Sequence, residues 1–245
     1  MRTLFVFLFL SFIRLVASLF WRLDLGWVVP PKSSHPWRGT RVIALLNHTS
    51  LFEWLFVGAV PFSILWRLAA HGVVPAAEKT LKRPWVGRFF KAVAAHVVSL
   101  TRERDHTWRT VLARIDDPKS TIIILPEGRM KRRNGLDSSG QQMTVRGGIA
   151  DILEAVPDGG LMLAYSGGLH HVQAPGDRLP RPFRTIRLRL ERLEIAEYRE
   201  AVMASVAGPA QFKRAVVADL ERRRDLYCPP LERASEAPAE SPPDP

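Results

Sequence analysis

The stretch RVIALLNHTSLFEWLF, residues 41–56, passes from a short apolar run through a polar turn into a second apolar pattern. A short run rich in β-branched residues is typical of a buried strand, and a longer apolar pattern is typical of a helix. Further runs that predict strands lie at 96–100, 121–125, 161–165 and 184–190. Helical patterns lie at 51–70, 84–94, 106–116 and 144–156. Because strands and helices alternate, we expect an α/β fold with a mixed, largely parallel sheet flanked by helices.

The end of the chain differs in composition from the rest. The run at 184–190 alternates apolar and basic residues, which predicts a half-exposed strand near a sheet edge. An amphipathic helix is expected after it, over 196–207 or 210–226. Residues 229–245 have too few apolar side chains to form a core, so we predict a disordered tail there.

The protein is strongly basic, with 35 Lys and Arg residues against 24 Asp and Glu residues. The overall charge of +11, together with −3 in residues 231–245, leaves +14 on the rest of the chain. Such an excess indicates an anionic partner, either a nucleic acid, an anionic membrane or a phosphorylated substrate. The single cysteine, Cys228, excludes a disulfide framework within the chain.

The N-terminal stretch TLFVFLFLSFIRLVASLFWRL, residues 3–23, has no acidic residue and about the length of a membrane span, roughly 20 residues. Arg14 inside it is costly at the centre of a bilayer, which favours an anchor lying in one leaflet. A true span and a core helix or cleaved peptide are the alternatives. Basic residues after the stretch favour a main body on the cytoplasmic face of the cell membrane. We therefore expect an anchor over 1–30 and a folded domain over 31–228.

Glu53 is the only acidic residue between Leu25 and Ala77, and it lies among apolar side chains. A buried carboxylate is costly unless something pairs with it. If His48 lies in the turn after the first strand, its ring can reach Glu53. The carboxylate would then fix the imidazole tautomer and make a general base. Alternatively, Ser50 to Glu53 fits the S-x-x-E capping box, and this segment alone leaves both interpretations open.

The stretch TIIILPEGRMKRR, residues 121–133, joins a predicted strand to a cluster of basic residues. Gly128 allows the backbone to approach a ligand closely, and guanidinium groups can hold a phosphate by paired hydrogen bonds. A solvated basic loop is the alternative. A third basic region, residues 77–105, suits a membrane-facing amphipathic helix or an ordinary surface helix.

Several well-known sequence motifs are absent. The chain has no G-x-S-x-G, no G-x-x-x-x-G-K-[ST], no H-E-x-x-H and no strand–GxGxxG–helix unit. Serine hydrolases, P-loop enzymes, zincins and dinucleotide oxidoreductases are therefore disfavoured. Nucleic-acid binding is not expected, because the aromatic residues crowd the N-terminal stretch, 52–66 and 85–90 rather than interleaving with basic residues.

The motifs NHTSLFE (47–53) and LPEGRM (125–130), in this order, resemble those of the glycerolipid acyltransferase superfamily. Its best-known members are the 1-acyl-glycerol-3-phosphate O-acyltransferases. The later segment TVRGGIADIL (144–153) is similar to the basic-x-Gly segment that usually follows P-E-G in this family. The resemblance spans roughly residues 38–165.

This resemblance implies an α/β acyltransferase domain over 31–228, with an N-terminal membrane-anchoring helix. It also implies direct acyl transfer from acyl-CoA or an acyl-carrier protein to the hydroxyl of a lyso-lipid, with no cofactor and no metal. His48 would be the general base and Glu53 would orient it. The remaining implied residues belong to the acceptor site: Glu127, Gly128 and Arg129, with Lys79 and Arg102 as further phosphate ligands.

The sequence departs from the family pattern at three places. The orienting residue is Glu53 where the family usually has Asp, and Arg129 comes one place earlier than in the usual E-G-T-R. The segment LMLAYSGG lacks the usual proline after its strand. A lysophospholipid or an amino-acid-based lyso-lipid is therefore an alternative acceptor to 1-acyl-glycerol-3-phosphate. A basic lipid- or nucleic-acid-binding protein without catalysis is the alternative from another class.

Overall fold

The computed structural model describes residues 1–100, 106–177 and 179–230. Of the residues singled out in the sequence, Arg102 lies outside this range, and so do residues 231–245 of the predicted tail. The strands are β1 Arg22–Trp27, β2 Thr40–Leu46, β3 Gly72–Ala77, β4 His96–Leu100, β5 Thr121–Ile124, β6 Gly160–Ser166 and β7 Thr185–Glu194. The α-helices are α1 Arg2–Phe20, α2 Phe62–His71, α3 Glu78–Leu81, α4 Pro84–Val93, α5 His106–Ile115, α6 Gly148–Ala155, α7 Ile195–Ala204 and α8 Pro209–Tyr227, and a 3₁₀ helix covers Glu53–Ala59.

The strands form one seven-stranded sheet in the described part of the chain, in the order β1-β7-β6-β2-β5-β3-β4. Every pairing is parallel except the antiparallel pair of β6 and β7. The prediction of a mixed, largely parallel sheet flanked by helices is therefore confirmed. Parallel strands β2, β3 and β5 end at the same edge of the sheet, which places the segments that follow them side by side.

Two strands were not predicted from the sequence. β1 lies within the predicted anchor region, pairs along its whole length with β7 and forms the edge of the sheet. β7 is therefore the second strand from the edge, and its residues alternate in burial as predicted. β3 contains Pro75, a residue that disfavours a strand assignment. Pro75 lies opposite Val98 of β4 and past the β3–β5 ladder, which covers only Gly72 and Val73. On the β5 side its missing N–H therefore costs no ladder hydrogen bond.

The helix predicted over 51–70 is wrong as one element. The chain instead forms the 3₁₀ helix Glu53–Ala59, turns at Val60 and Pro61, and then forms α2. Pro61 has no backbone N–H and its ring clashes with the preceding turn of a helix, so it ends one helix and precedes the next. Both of the regions proposed for the last helix are helical, as α7 and α8.

The sheet is a middle layer with a hydrophobic core on each face. Alternate residues of β2 supply the two cores: Val42, Ala44 and Leu46 point to one face, and Ile43 and Leu45 to the other. Helices α5, α6, α7 and α8 cover the first face, whereas α1, the 3₁₀ helix and α2 cover the second. Because β2 is buried on both faces, its sequence is a continuous apolar run.

Helix α1 is the one helix in the described residues that is long and apolar enough to cross a membrane by length and composition. One face packs against the domain through Val6, Leu10, Ile13 and Ala17. The opposite face is exposed and consists of large apolar side chains: Leu4, Phe5, Leu8, Phe12, Leu15 and Leu19. Helix α1 is therefore a candidate membrane anchor that already has one face in contact with protein.

The core on the α5–α8 face gives a stability prediction. Ile152 on α6 is fully buried, whereas Leu226 on α8 is exposed. We expect Ile152→Ala to lower the free energy of unfolding by about 2–5 kcal/mol, because the substitution leaves a cavity. The control Leu226→Ala should change it by less than about 0.5 kcal/mol. Urea unfolding of the purified variants measures both values, and equal losses would contradict this description of the core.

Candidate active site

The turn after β2 carries His48, and a carboxylate from the turn after β5 holds its backbone. Glu127 accepts the N–H of Asn47 at 3.1 Å on Oε1 and the N–H of His48 at 2.7 Å on Oε2. Asn47 has a φ of +68°, a left-handed conformation that few residues other than glycine adopt. The adjacent ends of β2 and β5 thus bring the N-H and P-E-G motifs into direct contact.

Glu53 makes both of the interactions that its sequence context allowed. Its Oε2 contacts Nδ1 of the His48 imidazole. Its Oε1 accepts the backbone N–H groups of Thr49 at 2.7 Å and Ser50 at 3.2 Å. The bond to the Ser50 N–H is one half of a capping box. The other half is replaced, because the Ser50 hydroxyl accepts the Phe52 N–H at 3.1 Å.

The pairing with Glu53 determines which nitrogen of His48 is available for chemistry. Since Nδ1 faces the carboxylate, Nε2 is the nitrogen that can take a proton from a substrate. Burial by itself lowers the pKa of His48, but the charge and hydrogen bond of Glu53, with a smaller effect of Glu127, raise the pKa above its usual value. The side chain keeps 17% of its surface exposed, so the ring is accessible to a ligand. A buried carboxylate and a partly accessible imidazole are the arrangement of a general base.

A loop after β6 fixes the same turn from the other side. The Asn47 amide donates to the Ser166 carbonyl at 2.8 Å, and Thr49 Oγ1 accepts the Leu169 N–H at 2.8 Å. The buried Ser50 hydroxyl donates to Gln173 Oε1 at 2.6 Å. Sequence reasoning did not identify Ser166 or Gln173 as part of the site. The missing proline in LMLAYSGG was the signal that this segment is built differently.

The P-E-G segment places its residues in different surroundings. Glu127 is buried and faces the His48 turn, while Gly128 is exposed with a φ of +64°. Arg129 forms an ion pair with Asp137. The pKa of Asp137 is lowered to about 2, chiefly by the Gln141 N–H and then by Arg129. The charge of Arg129 is therefore compensated within its own loop.

The remaining basic candidates lie near this edge of the sheet or outside the described residues. Lys79 is exposed on α3, directly after the end of β3. Lys131 donates its backbone N–H to the His48 carbonyl at 2.8 Å, so the basic run begins beside the histidine. The structure thus brings His48, Glu53 and Glu127 together, and it places Gly128 and Arg129 next to them. Arg102 is not described.

No group of three or more His, Cys, Asp or Glu side chains suited to a metal ion occurs in the described ranges.

Comparison with known proteins finds a match by sequence and a match by fold. A family model described as Acyltransferase matches residues 31–164. The crystal structure of the 1-acyl-sn-glycerophosphate (LPA) acyltransferase PlsC from Thermotoga maritima is similar, with a TM-score of 0.53 and 16% sequence identity. The match covers 89% of this chain and 79% of that chain, and at this identity it concerns the fold alone. The search of curated proteins found no match.

The His48–Glu53 pair predicts a titration that NMR can measure. We expect a His48 pKa above about 6.5 in the wild type, and a lower pKa in Glu53→Gln because the negative charge is removed. Since the folded-state pKa is raised, the charged ring stabilises the fold fully below about pH 6.5. That contribution is lost as pH rises through the folded-state pKa.

The control for this titration is Glu154→Gln, which removes an exposed carboxylate from α6. The His48 titration should then match the wild type. An unchanged His48 pKa in Glu53→Gln would show that Glu53 serves only as a cap.

Proposed function

The chain belongs to the Acyltransferase family, and on that premise we propose that it moves a fatty acyl group from an acyl thioester to the hydroxyl of a lyso-glycerolipid. The proposed donor is acyl-CoA or an acyl-carrier protein, and the proposed acceptor is 1-acyl-glycerol-3-phosphate or a related lyso-lipid. The observation that carries the proposal is the contact of His48 Nδ1 with the buried Glu53 carboxylate. The matched residues 31–164 include both side chains and the P-E-G segment.

In the proposed reaction, Nε2 of His48 takes the proton of the acceptor hydroxyl as its oxygen attacks the thioester carbonyl. The new C–O bond forms, the C–S bond breaks, and the imidazolium returns the proton to the leaving thiolate. Glu53 stabilises the imidazolium while it carries the proton. A positioned base of this kind contributes about 10²- to 10⁴-fold in rate. The proposal requires no resident metal or cofactor.

Acceptor binding is proposed at the edge of the sheet where β2, β3 and β5 end. Gly128 lets a head group approach the backbone, and Arg129, Lys79 and Arg102 are the proposed cations for it. The pairing of Arg129 with Asp137 reduces the positive charge beside Gly128. This observation favours, as a second candidate, an acceptor with less negative charge than a phosphate monoester, such as a lysophospholipid or an amino-acid-based lyso-lipid.

We also propose that the protein works on a membrane, with α1 lying in one leaflet on the cytoplasmic side. The guanidinium of Arg14 donates to the carbonyls of Gly58, at 2.9 Å, and Val60. It also lies over the Phe62 ring, 4.9 Å from the ring centre. Arg14 is thus satisfied by the domain itself and has no need to reach the water interface. A helix that crossed the bilayer alone would lose these contacts.

Replacement of His48 is the first test of the catalytic proposal. His48→Ala should remove acyl transfer while the protein still folds, because the proton acceptor is lost. Glu53→Asp should keep part of the activity, and Glu53→Gln should keep far less. The assay uses purified enzyme, one labelled acyl thioester and a panel of lyso-lipid acceptors, read by mass spectrometry. Thermal unfolding serves as the folding control.

Two results would overturn these roles. Full activity in His48→Ala would remove the general base from the proposal. Glu53→Gln with wild-type activity would leave Glu53 as a structural cap. Because the panel contains lyso-lipids with different head groups, the same experiment also identifies the preferred head group. That result does not depend on which residue is the general base.

The orientation of α1 is tested by labelling its two ends. Arg2→Cys and Ser18→Cys, each in a Cys228→Ser background, place single thiols near either end of the helix. For a helix lying in one leaflet, an impermeant thiol reagent should label both from the cytoplasmic side of sealed membrane vesicles. Labelling of the two ends from opposite sides would show instead that α1 spans the membrane.

A further inference from the structure

We propose that Arg224, on the C-terminal helix α8, is a positioning residue for the turn that carries His48. The inference rests on the proposed function, since it concerns the same histidine. Arg224 itself lies outside residues 31–164, the range that the family model matches. The chain of contacts runs from Arg224 to Glu127, and from Glu127 to the backbone of Asn47 and His48.

Glu127 is buried next to Arg224. Its side chain is 1% exposed, and that of Arg224 is 14% exposed. Arg224 Nη1 lies 3.4 Å from Glu127 Oε1 and donates to the Met143 carbonyl at 3.0 Å. A buried carboxylate needs an opposite charge or several hydrogen bonds. Glu127 has both, because two backbone N–H groups and one guanidinium face it.

Helix α8 also holds the segment beside the P-E-G turn. One helical turn before Arg224, Glu221 accepts the Val145 N–H at 2.8 Å. Residues three apart share a helix face, so α8 presents one acceptor and one donor to the same extended segment. The next residue of that segment, Arg146, donates its N–H to the Pro126 carbonyl at 2.8 Å. Helix α8 therefore fixes Glu127 both directly and through residues 143–146.

Glu127 fixes the turn that positions the imidazole. Asn47 adopts an uncommon left-handed conformation that persists only where its surroundings fix it. Glu127 is one of those surroundings, and it also sets the position of the His48 backbone. A shift of the imidazole by about 1 Å is enough to cost about 100-fold in rate. Arg224 acts through Glu127 and contacts neither the imidazole nor the proposed reacting atoms.

The same contacts set the charges around His48. Glu53 and Glu127 both act on the imidazole. Arg224 opposes the charge of Glu127, and its Nε also pairs with Asp225 at 2.8 Å. Lys131 and Cys228 also lie near this group of charges. Removing the guanidinium leaves the Glu127 charge less compensated, so the His48 pKa should rise. Removing the Glu127 charge should lower it.

The experiment compares Arg224→Gln and Arg224→Lys with the control Arg222→Gln. Arg222 is on the same helix, but its side chain is 60% exposed and pairs with Asp219. We expect Arg224→Gln to lower kcat by about 10- to 100-fold, with little change in KM for either substrate. The acidic limb of the kcat/KM profile should move to higher pH. Arg224→Lys should recover part of the rate because it keeps the charge, and Arg222→Gln should match the wild type.

A double variant tests the coupling. If Arg224 acts through Glu127, then Glu127→Gln/Arg224→Gln should be no less active than Glu127→Gln alone. Independent, multiplying losses would overturn the proposal. So would an Arg224→Gln enzyme with the kcat and pH profile of the wild type. Should Arg224→Gln fail to fold, Arg224→Lys should lower kcat and keep the acidic limb near that of the wild type, whereas Glu127→Gln should move the limb to lower pH. An Arg224→Lys enzyme with the kcat of the wild type would then overturn the proposal.

The His48 titration by NMR keeps this inference separate from the proposed function. The titration measures the expected rise of the His48 pKa in Arg224→Gln, and it needs no activity assay. A wild-type protein that transfers no acyl group would overturn the proposed function. An unchanged titration in an active Arg224→Gln variant would overturn only the positioning role.

Discussion

The carboxylate of Glu127 accepts the backbone N–H groups of Asn47 and His48, and it thereby joins the turn after β5 to the turn after β2. This contact exists because the two strands are parallel neighbours that end at the same edge. The two bonds restrain the backbone of the turn, and the position of the imidazole depends on that restraint and on Glu53. The loop after β6 and helix α8 then pack around that fixed turn.

The second carboxylate, Glu53, resolves a choice that the sequence left open. One oxygen contacts the imidazole and the other binds the N–H groups of Thr49 and Ser50. One carboxylate therefore caps the turn with one oxygen and orients the imidazole with the other. The helix here is a 3₁₀ helix that begins at Glu53 itself. The residues before it form a turn, and from the start of the helix the longer side chain of Glu reaches back over that turn to both partners.

Some basic side chains of this protein are paired within the fold, and others are exposed to solvent. Three arginines are each satisfied by partners within the fold. Arg129 pairs with Asp137, and Arg14 donates to the carbonyls of Gly58 and Val60. Arg224 contacts Glu127, Asp225 and the Met143 carbonyl. Lys79 is exposed near the edge where the site lies. A net charge of +11 therefore overstates the charge that faces a ligand beside P-E-G. The apolar outer face of α1 adds a surface suited to lipid, because its inner face is already packed on the domain.

The sequence by itself determined the fold class, the family and the pair of motifs that meet at the site. Buried strands such as β2 and β5 are visible as short apolar runs, and NHTSLFE and LPEGRM are local patterns that need no partner to be read. It did not determine β1 and β3, because their assignment depends on pairing with β7 and β4 rather than on their own composition.

Only the tertiary structure decided what each charged residue does. Glu127 was expected in the acceptor site, and its carboxylate turns inward to backbone groups 79 and 80 residues earlier in the chain. Arg129 is paired with an aspartate, and Arg224 reaches Glu127 across 97 residues. A charged side chain has several possible partners within reach of its flexible stem. Which partner it pairs with depends on which groups the fold brings close and removes from water, and a local sequence pattern does not show this.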